Sequence, residues 1–430
     1  MRLLQAIKSA IQNAVQWAVN AQRFRRYTPP GPAPQPAPSL RIALCDLIPN
    51  VGDTVMIYPL LDAIVAEHPD AEIVCFTKGF SRNLGLHPAV SRVYEFRDPQ
   101  RWTTRLGTGG YILNLRSWYR EALQSLRFDV TASLRGGVDP FHSVYLAYLL
   151  GGRIRAGYDP SLEPEHADCD LNDEELMTHC VRRIDRIHEV GRGWEILHLA
   201  GVLHRPLDLR RPVASLLHVA ALPEAQQFLS AHPQLQQPYA IIAPGASVQR
   251  RAWPAERFSQ VFRQVVQPRC WMPVFAGGPE LRERSQACGV SLGVPFLNLC
   301  GRTSFPELTA VCAGAQVFLG NDSGLGHISG ACGVPTLVVT AFAQSSPQSH
   351  HASPHRSHPV GPWFTVVQPE SQRTPCRDEC IATEPHCILD ASVATAVRAL
   401  EDLLARRSQD PHGAAGTFFA TVAAQREHQA

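Results

Sequence analysis

Several groups of side chains in this sequence have types and spacings that could do chemistry. Asp53 stands at the start of the helix-like run "VGDTVMIYPLLDAI". An acidic side chain there either satisfies free backbone N–H groups and complements the helix dipole, or accepts a proton from a substrate, and both readings fit locally. Ser247, Arg250 and Arg251 follow the strand-like "YAIIAPG". A hydroxyl and a guanidinium at the carboxyl end of a strand can hold diphosphate oxygens, or simply form a solvated loop. "VFAGGPELRERS" repeats the arrangement, with Glu280 and Glu283 suited to a ribose diol or to a helix start. In "FLGNDSGLGHISGACGVPTLVV" a strand ends at Gly320 and a helix begins near Ser323. Gly324, Gly326 and Gly330 permit close approach there, either by an anion at the helix N-terminus or by a packed neighbour.

Two further clusters have metal-ligand chemistry. "DCD", Asp168 to Asp170, has the form of a metal-holding acidic pair, but it lies in an acidic stretch rather than at a strand end and reads as a solvated loop. Cys376, Cys380 and Cys387, with His386 adjacent, could supply soft ligands to zinc or iron, although their spacing is not a standard zinc pattern. Cys45, Cys75, Cys270, Cys300, Cys312 and Cys332 lie in or beside apolar runs and read as reduced core thiols.

The elements that must position these groups follow from periodicity. "RIALCDLI", "AEIVCFT" and "FDVTASLR" read as strands alternating with helices, and a second set runs through "YAIIAPG", "WMPVFAGG", "FLNLCG", "AQVFLGND" and "PTLVVTAF". Such alternation predicts two α/β domains with doubly wound parallel sheets, at 40–215 and 236–405, the intervening stretch acting as hinge and edge. Ligands of such sheets bind outside the carboxyl ends of the strands. Residues 1–28 read as an amphipathic helix with a basic end, suited to packing on protein or to an anionic membrane surface. Residues 29–39 form a proline-rich linker and 406–430 a tail.

The chain has 430 residues, 45% of them apolar, 18% charged, and a formal net charge of +2. No general basic field favours nucleic acid. Neither a P-loop nor a G-x-G-x-x-G fingerprint at the first strand is present. No apolar run is long enough to span a membrane and no signal peptide is recognisable, so the expectation is a cytoplasmic protein.

Taken in order, "GDTVMIYPLLDAI", "PGASVQRRAWPAERF", "VFAGGPELRE", "CGRTSFPELTAVCAGAQVFLGNDSGLGHISGACGVPTLVV" and the cysteine-bearing end resemble the heptosyltransferases of glycosyltransferase family 9 over about residues 40 to 400. The resemblance implies a GT-B fold, with an acceptor domain, a nucleotide-sugar domain and a cleft between two Rossmann-like halves. It makes Asp53 the general base of an inverting, metal-independent transfer. It assigns the donor to Ser247, Arg251, Glu280 and the set Asp322, Ser323, Gly324, Leu325 and His327. Arg251 stands where the family generally has lysine, Glu283 is a close alternative to Glu280, and His327 positions the loop rather than acting as a second base.

The implied reaction moves a sugar, heptose from ADP-heptose, to a lipopolysaccharide core or related lipid-linked oligosaccharide. No cofactor is required; a structural zinc or iron at Cys376, Cys380 and Cys387 is the minor alternative, since related protein-directed heptosyltransferases carry an iron-binding cysteine finger near this end. Peripheral contact with the cytoplasmic face of the inner membrane is compatible with the first helix. Two other readings stay open: a heptosyltransferase acting on an autotransporter-type protein, and a nucleotide-sugar epimerase or non-catalytic binding protein on the same fold.

Overall fold

Short apolar runs buried on both faces make the central strands. The computed structural model describes residues 39–100, 103–134, 139, 141–159, 162, 176–246, 248–410 and 418–419. The expected first helix, the linker up to residue 38, Asp168 to Asp170, Ser247 and most of the tail lie outside them.

β1 (Arg41–Asp46), β2 (Glu72–Thr77), β3 (Val90–Glu95), β4 (Val130–Ser133), β5 (Ile154–Tyr158) and β6 (His179–Val181) form one sheet in the order β3-β2-β1-β4-β5-β6, every pair parallel. After its half-buried first residue β1 is buried throughout, as a parallel strand covered on both faces must be. Arg41 fixes where three strands begin. Its guanidinium donates to both Glu72 carboxylate oxygens at 2.7 and 3.1 Å, and its backbone N–H donates to the Asp129 carboxylate at 3.0 Å. Phe76, Phe96, Phe128, Tyr111 and Leu146 fill the core on one face.

β7 (Tyr239–Ala243), β8 (Met272–Phe275), β9 (Leu297–Asn298), β10 (Val317–Asn321), β11 (Thr336–Val339), β12 (Phe364–Val367) and β13 (Phe418–Phe419) form the second sheet, ordered β13-β12-β11-β10-β7-β8-β9 and again parallel. Strand order reverses between β7 and β10, so their carboxyl ends mark the place where such a sheet binds ligands. The helix Val393–Gln409 starts at Ser392, whose hydroxyl accepts the Thr395 N–H at 3.0 Å, and buries Ala396, Leu400 and Leu403 in the core.

The chain divides into two compact units, 39–50 with 63–206 and 51–62 with 207 onward. The helix Val51–Glu67 therefore begins in the second unit and ends in the first, which puts Asp53 in the second.

Some expectations need correction. The stretch between the two strand sets holds helices Ala214–Ala220 and Pro223–Ala231, packed through Ala220 and Ala225 on Ala310. Cys270 is exposed rather than a core thiol, because it sits at φ +56° in the tight turn after Gln267–Arg269. Cys45, Cys75, Cys300, Cys312 and Cys332 are buried as expected. Burial pushes the Cys312 thiol up to about 12, which keeps it protonated and unreactive. Among the described residues no helix is long and apolar enough to cross a membrane.

Candidate active site

Apart from Asp53, which opens the helix after β1, and Ser247, the candidate side chains lie just past strands of the second sheet. β10 finishes in Asn321, and the next residue, Asp322, donates its N–H to Val339 O at 3.0 Å, so it stands beside Thr340 after β11. Ser323 follows in extended conformation as the N-cap of the helix Gly324–Ala331, yet its hydroxyl makes no capping bond. That oxygen is buried without a partner among the described residues. A cap serine whose side chain makes no capping bond keeps its hydroxyl available to an anion at the helix N-terminus.

The glycines at this corner serve packing. A Cβ on Gly324 would lie 2.3 Å from Val51 Cβ, and a Cβ on Gly52 would lie 2.9 Å from His327 Cδ2. Two helix N-termini therefore abut through Gly52 and Gly324. This contact brings Asp53, in the first turn of its helix, up to His327. His327 is 6% exposed, and its Nδ1 has no partner among the described residues. Burial holds its pKa below the ordinary imidazole value, against the opposing pull of Asp322 and then Asp53, so the ring is neutral at physiological pH. A neutral imidazole can offer one hydrogen bond and accept another.

Arg251 ends the short turn Gln249–Arg251 after β7 and lines one pocket with Asp322, Thr340, Phe342, Glu379 and Cys380. Glu280 is not among that pocket's lining residues. It is exposed on the turn Pro279–Leu281 after β8, its carboxylate folded back where a Cβ on Gly278 would meet both oxygens at 2.3 Å. Leu325 is half-buried in the first turn of its helix. The structure thus brings together Arg251 with Asp322, and Asp53 with His327 and Asp322.

Sequence reasoning passed over Gly52, Thr340, Glu379 and Asn321. Asn321 is fully buried; its Oδ1 accepts the Trp253 N–H at 2.8 Å and its Nδ2 donates to Gly245 O at 3.0 Å. It ties the arginine-bearing loop to the end of β10. The readable signal was an amide closing an otherwise apolar strand. Asn321→Leu leaves two buried backbone groups unpaired, each costing roughly 1–3 kcal/mol. A thermal melt should show that loss, and donor titration should show KM rising more than kcat falls; a KM equal to wild type would contradict the positioning role.

The chain is similar to known proteins in sequence and in fold. The family model described as glycosyltransferase family 9 (heptosyltransferase) matches residues 119–385. Lipopolysaccharide heptosyltransferase 3 of Escherichia coli is 23% identical over 298 residues, covering 67% of this chain and 80% of that protein. Lipopolysaccharide heptosyltransferase 1 of Pseudomonas aeruginosa is 24% identical over 305 residues, covering 69% and 77%. The structure of E. coli heptosyltransferase WaaC with ADP superposes with a TM-score of 0.61 at 18% identity, covering 84% of this chain and 99% of that one. At that identity the likeness is one of fold, and the fold is GT-B.

Proposed function

The chain belongs to glycosyltransferase family 9, the heptosyltransferases, and on that footing we propose that it transfers heptose from ADP-heptose to a hydroxyl of a lipopolysaccharide core, inverting the anomeric centre. The observation that carries this reading is the corner where Gly52 and Gly324 let Asp53 approach His327 and Asp322. In the proposed step Asp53 takes the proton of the acceptor hydroxyl as its oxygen attacks the anomeric carbon. The bond from that carbon to the β-phosphate oxygen breaks, and ADP leaves with the electron pair.

Charge that develops on the departing diphosphate meets Arg251, the hydroxyl of Ser323 and the N-terminus of the helix that opens at Gly324. Those groups are present before the reaction begins, so no metal ion is needed for that task. Leu325 and Asp322 border the donor sugar, and Glu280 and Ser247 are assigned to the donor by family resemblance. His327, neutral and buried, holds the corner. The working location is the cytoplasmic side of the inner membrane, where a nucleotide sugar and a lipid-linked acceptor meet.

A donor screen tests the reading. Purified protein is incubated with ADP-heptose, UDP-sugars or GDP-sugars and with extracted core oligosaccharide, and the products are weighed by mass spectrometry. The expected result is the mass of one added heptose, dependent on ADP-heptose. Transfer to protein instead of oligosaccharide, epimerised nucleotide sugar without transfer, or nucleotide binding without turnover would overturn it.

A further inference from the structure

Between β12 and the last helix the chain folds back on itself, and Arg373 pairs with Asp390 through two bonds of 2.7 and 2.5 Å that close the base of the loop. Inside it lie Cys376, Cys380, His386 and Cys387, whose ligand atoms are all within 4.8 Å of one another. The three cysteines are 7%, 5% and 0% exposed and belong to the core of the second unit. Cys376 Sγ is 3.6 Å and Cys387 Sγ 3.4 Å from the same nitrogen, His386 Nδ1.

These distances can be set against coordination geometry. A tetrahedral zinc with Zn–S near 2.3 Å and Zn–N near 2.05 Å separates a sulfur from a nitrogen by about 3.6 Å and two sulfurs by about 3.8 Å. The two sulfur–nitrogen edges, 3.6 and 3.4 Å, are close to that length. Thiols packed merely as small hydrophobes would not be expected to gather round an imidazole nitrogen.

We propose that Cys376, Cys380, His386 and Cys387 bind one zinc ion in a closed, structural site. The linear spacing hides it, because three residues separate Cys376 from Cys380 while His386 and Cys387 are adjacent; the fold-back joined by Arg373 and Asp390 supplies the geometry. Binding releases the three thiol protons and replaces three S–H groups and one free nitrogen by four bonds to the metal. With all four positions taken by protein, the ion has no open place for substrate. Its effect is mechanical: Cys380 and its neighbour Glu379 form part of the wall of the pocket that holds Arg251 and Asp322. That last consequence rests on the donor-site reading; the metal site does not.

The test uses the full chain purified without chelator. Elemental analysis should find roughly one zinc per chain, and cobalt(II) exchanged for it should show the intense visible bands of a tetrahedral site with thiolate-to-cobalt charge transfer. His386→Gln, at a half-buried position, should lower zinc affinity at least about tenfold while the protein stays folded, and Cys387→Ser should abolish the charge-transfer band. Cys270→Ser, at the exposed thiol, and His351→Ala, beside Glu379, should change neither. Chelation should lower the melting temperature and zinc should restore it. The proposal is overturned by metal-free protein that gains no stability from zinc, by a disulfide among the three cysteines in freshly purified protein, or by a cobalt spectrum unchanged in His386→Gln. None of these readouts depends on sugar transfer, so a failure of the transferase reading would leave them intact.

Discussion

Asp53→Asn should lower kcat by about 10²- to 10⁴-fold, the usual worth of a general base, while the affinity for ADP stays within about twofold. The substitution is chosen because it separates the two readings that the sequence alone leaves open. Asp53 is the third residue of the helix Val51–Glu67, where a carboxylate complements the helix dipole by about 0.3–1 kcal/mol. Asparagine keeps the size and the hydrogen-bonding oxygen of that side chain and gives up only the charge and the ability to take a proton. If Asp53 mainly stabilises the helix start, Asp53→Asn costs a small shift in melting temperature and leaves turnover near wild type. If it accepts the proton, turnover collapses and the melt hardly moves. A kcat within about threefold of wild type would end the general-base assignment.

The contrast between Asp53 and its surroundings shows what a sequence can and cannot display. That an acidic residue opens a helix after a strand is visible from periodicity alone. That Gly52 touches His327, and Gly324 touches Val51, is not, because those contacts join segments far apart in the chain. The longer buried strands β1, β2, β7 and β10 were legible as apolar runs. β3 was not: Ser91 and Arg92 are exposed, and an edge strand carries polar residues that break the run. β6 has three residues, all half-buried, and no apolar run to stand out.

The same limit applied to the site. Arg251 was legible as a polar residue just past a strand end, Asp322 only through the family resemblance, and parallel topology at a switch point is enough to bring such loops together. Glu280 was read by the same rule, yet in the structure it turns back over Gly278, because the short turn Pro279–Leu281 decides its direction. Asn321 shows the converse. Its importance lies in two hydrogen bonds to a loop whose path is set by Trp253, buried in the core with its indole N–H donated to Ala391 O at 3.0 Å. Partners of that kind are fixed by packing, which no local pattern records.

Gly324→Ala should lower kcat by about 10²-fold, a loss of the size that follows from moving a catalytic group by about 1 Å. On an isolated helix the change would stabilise, since alanine is better than glycine by up to about 1 kcal/mol. Here the new methyl would sit 2.3 Å from Val51 Cβ and 2.6 Å from Val51 Cγ1. These atoms cannot swing aside as a long side chain could, so the two helix starts must part. Separation carries Asp53 away from His327 and from the helix start proposed to receive the diphosphate. Gly52→Ala should be milder, because its new methyl meets only the edge of the His327 ring, which can tilt. The discriminating variant is Val51→Gly combined with Gly324→Ala. Removing the atoms that the methyl strikes should recover at least about tenfold of the lost activity, a coupling expected only of residues in direct contact. If the double variant is no better than Gly324→Ala, the glycine serves the backbone or the ligand rather than the approach of the two helices, and the arrangement of Asp53 must be explained in another way.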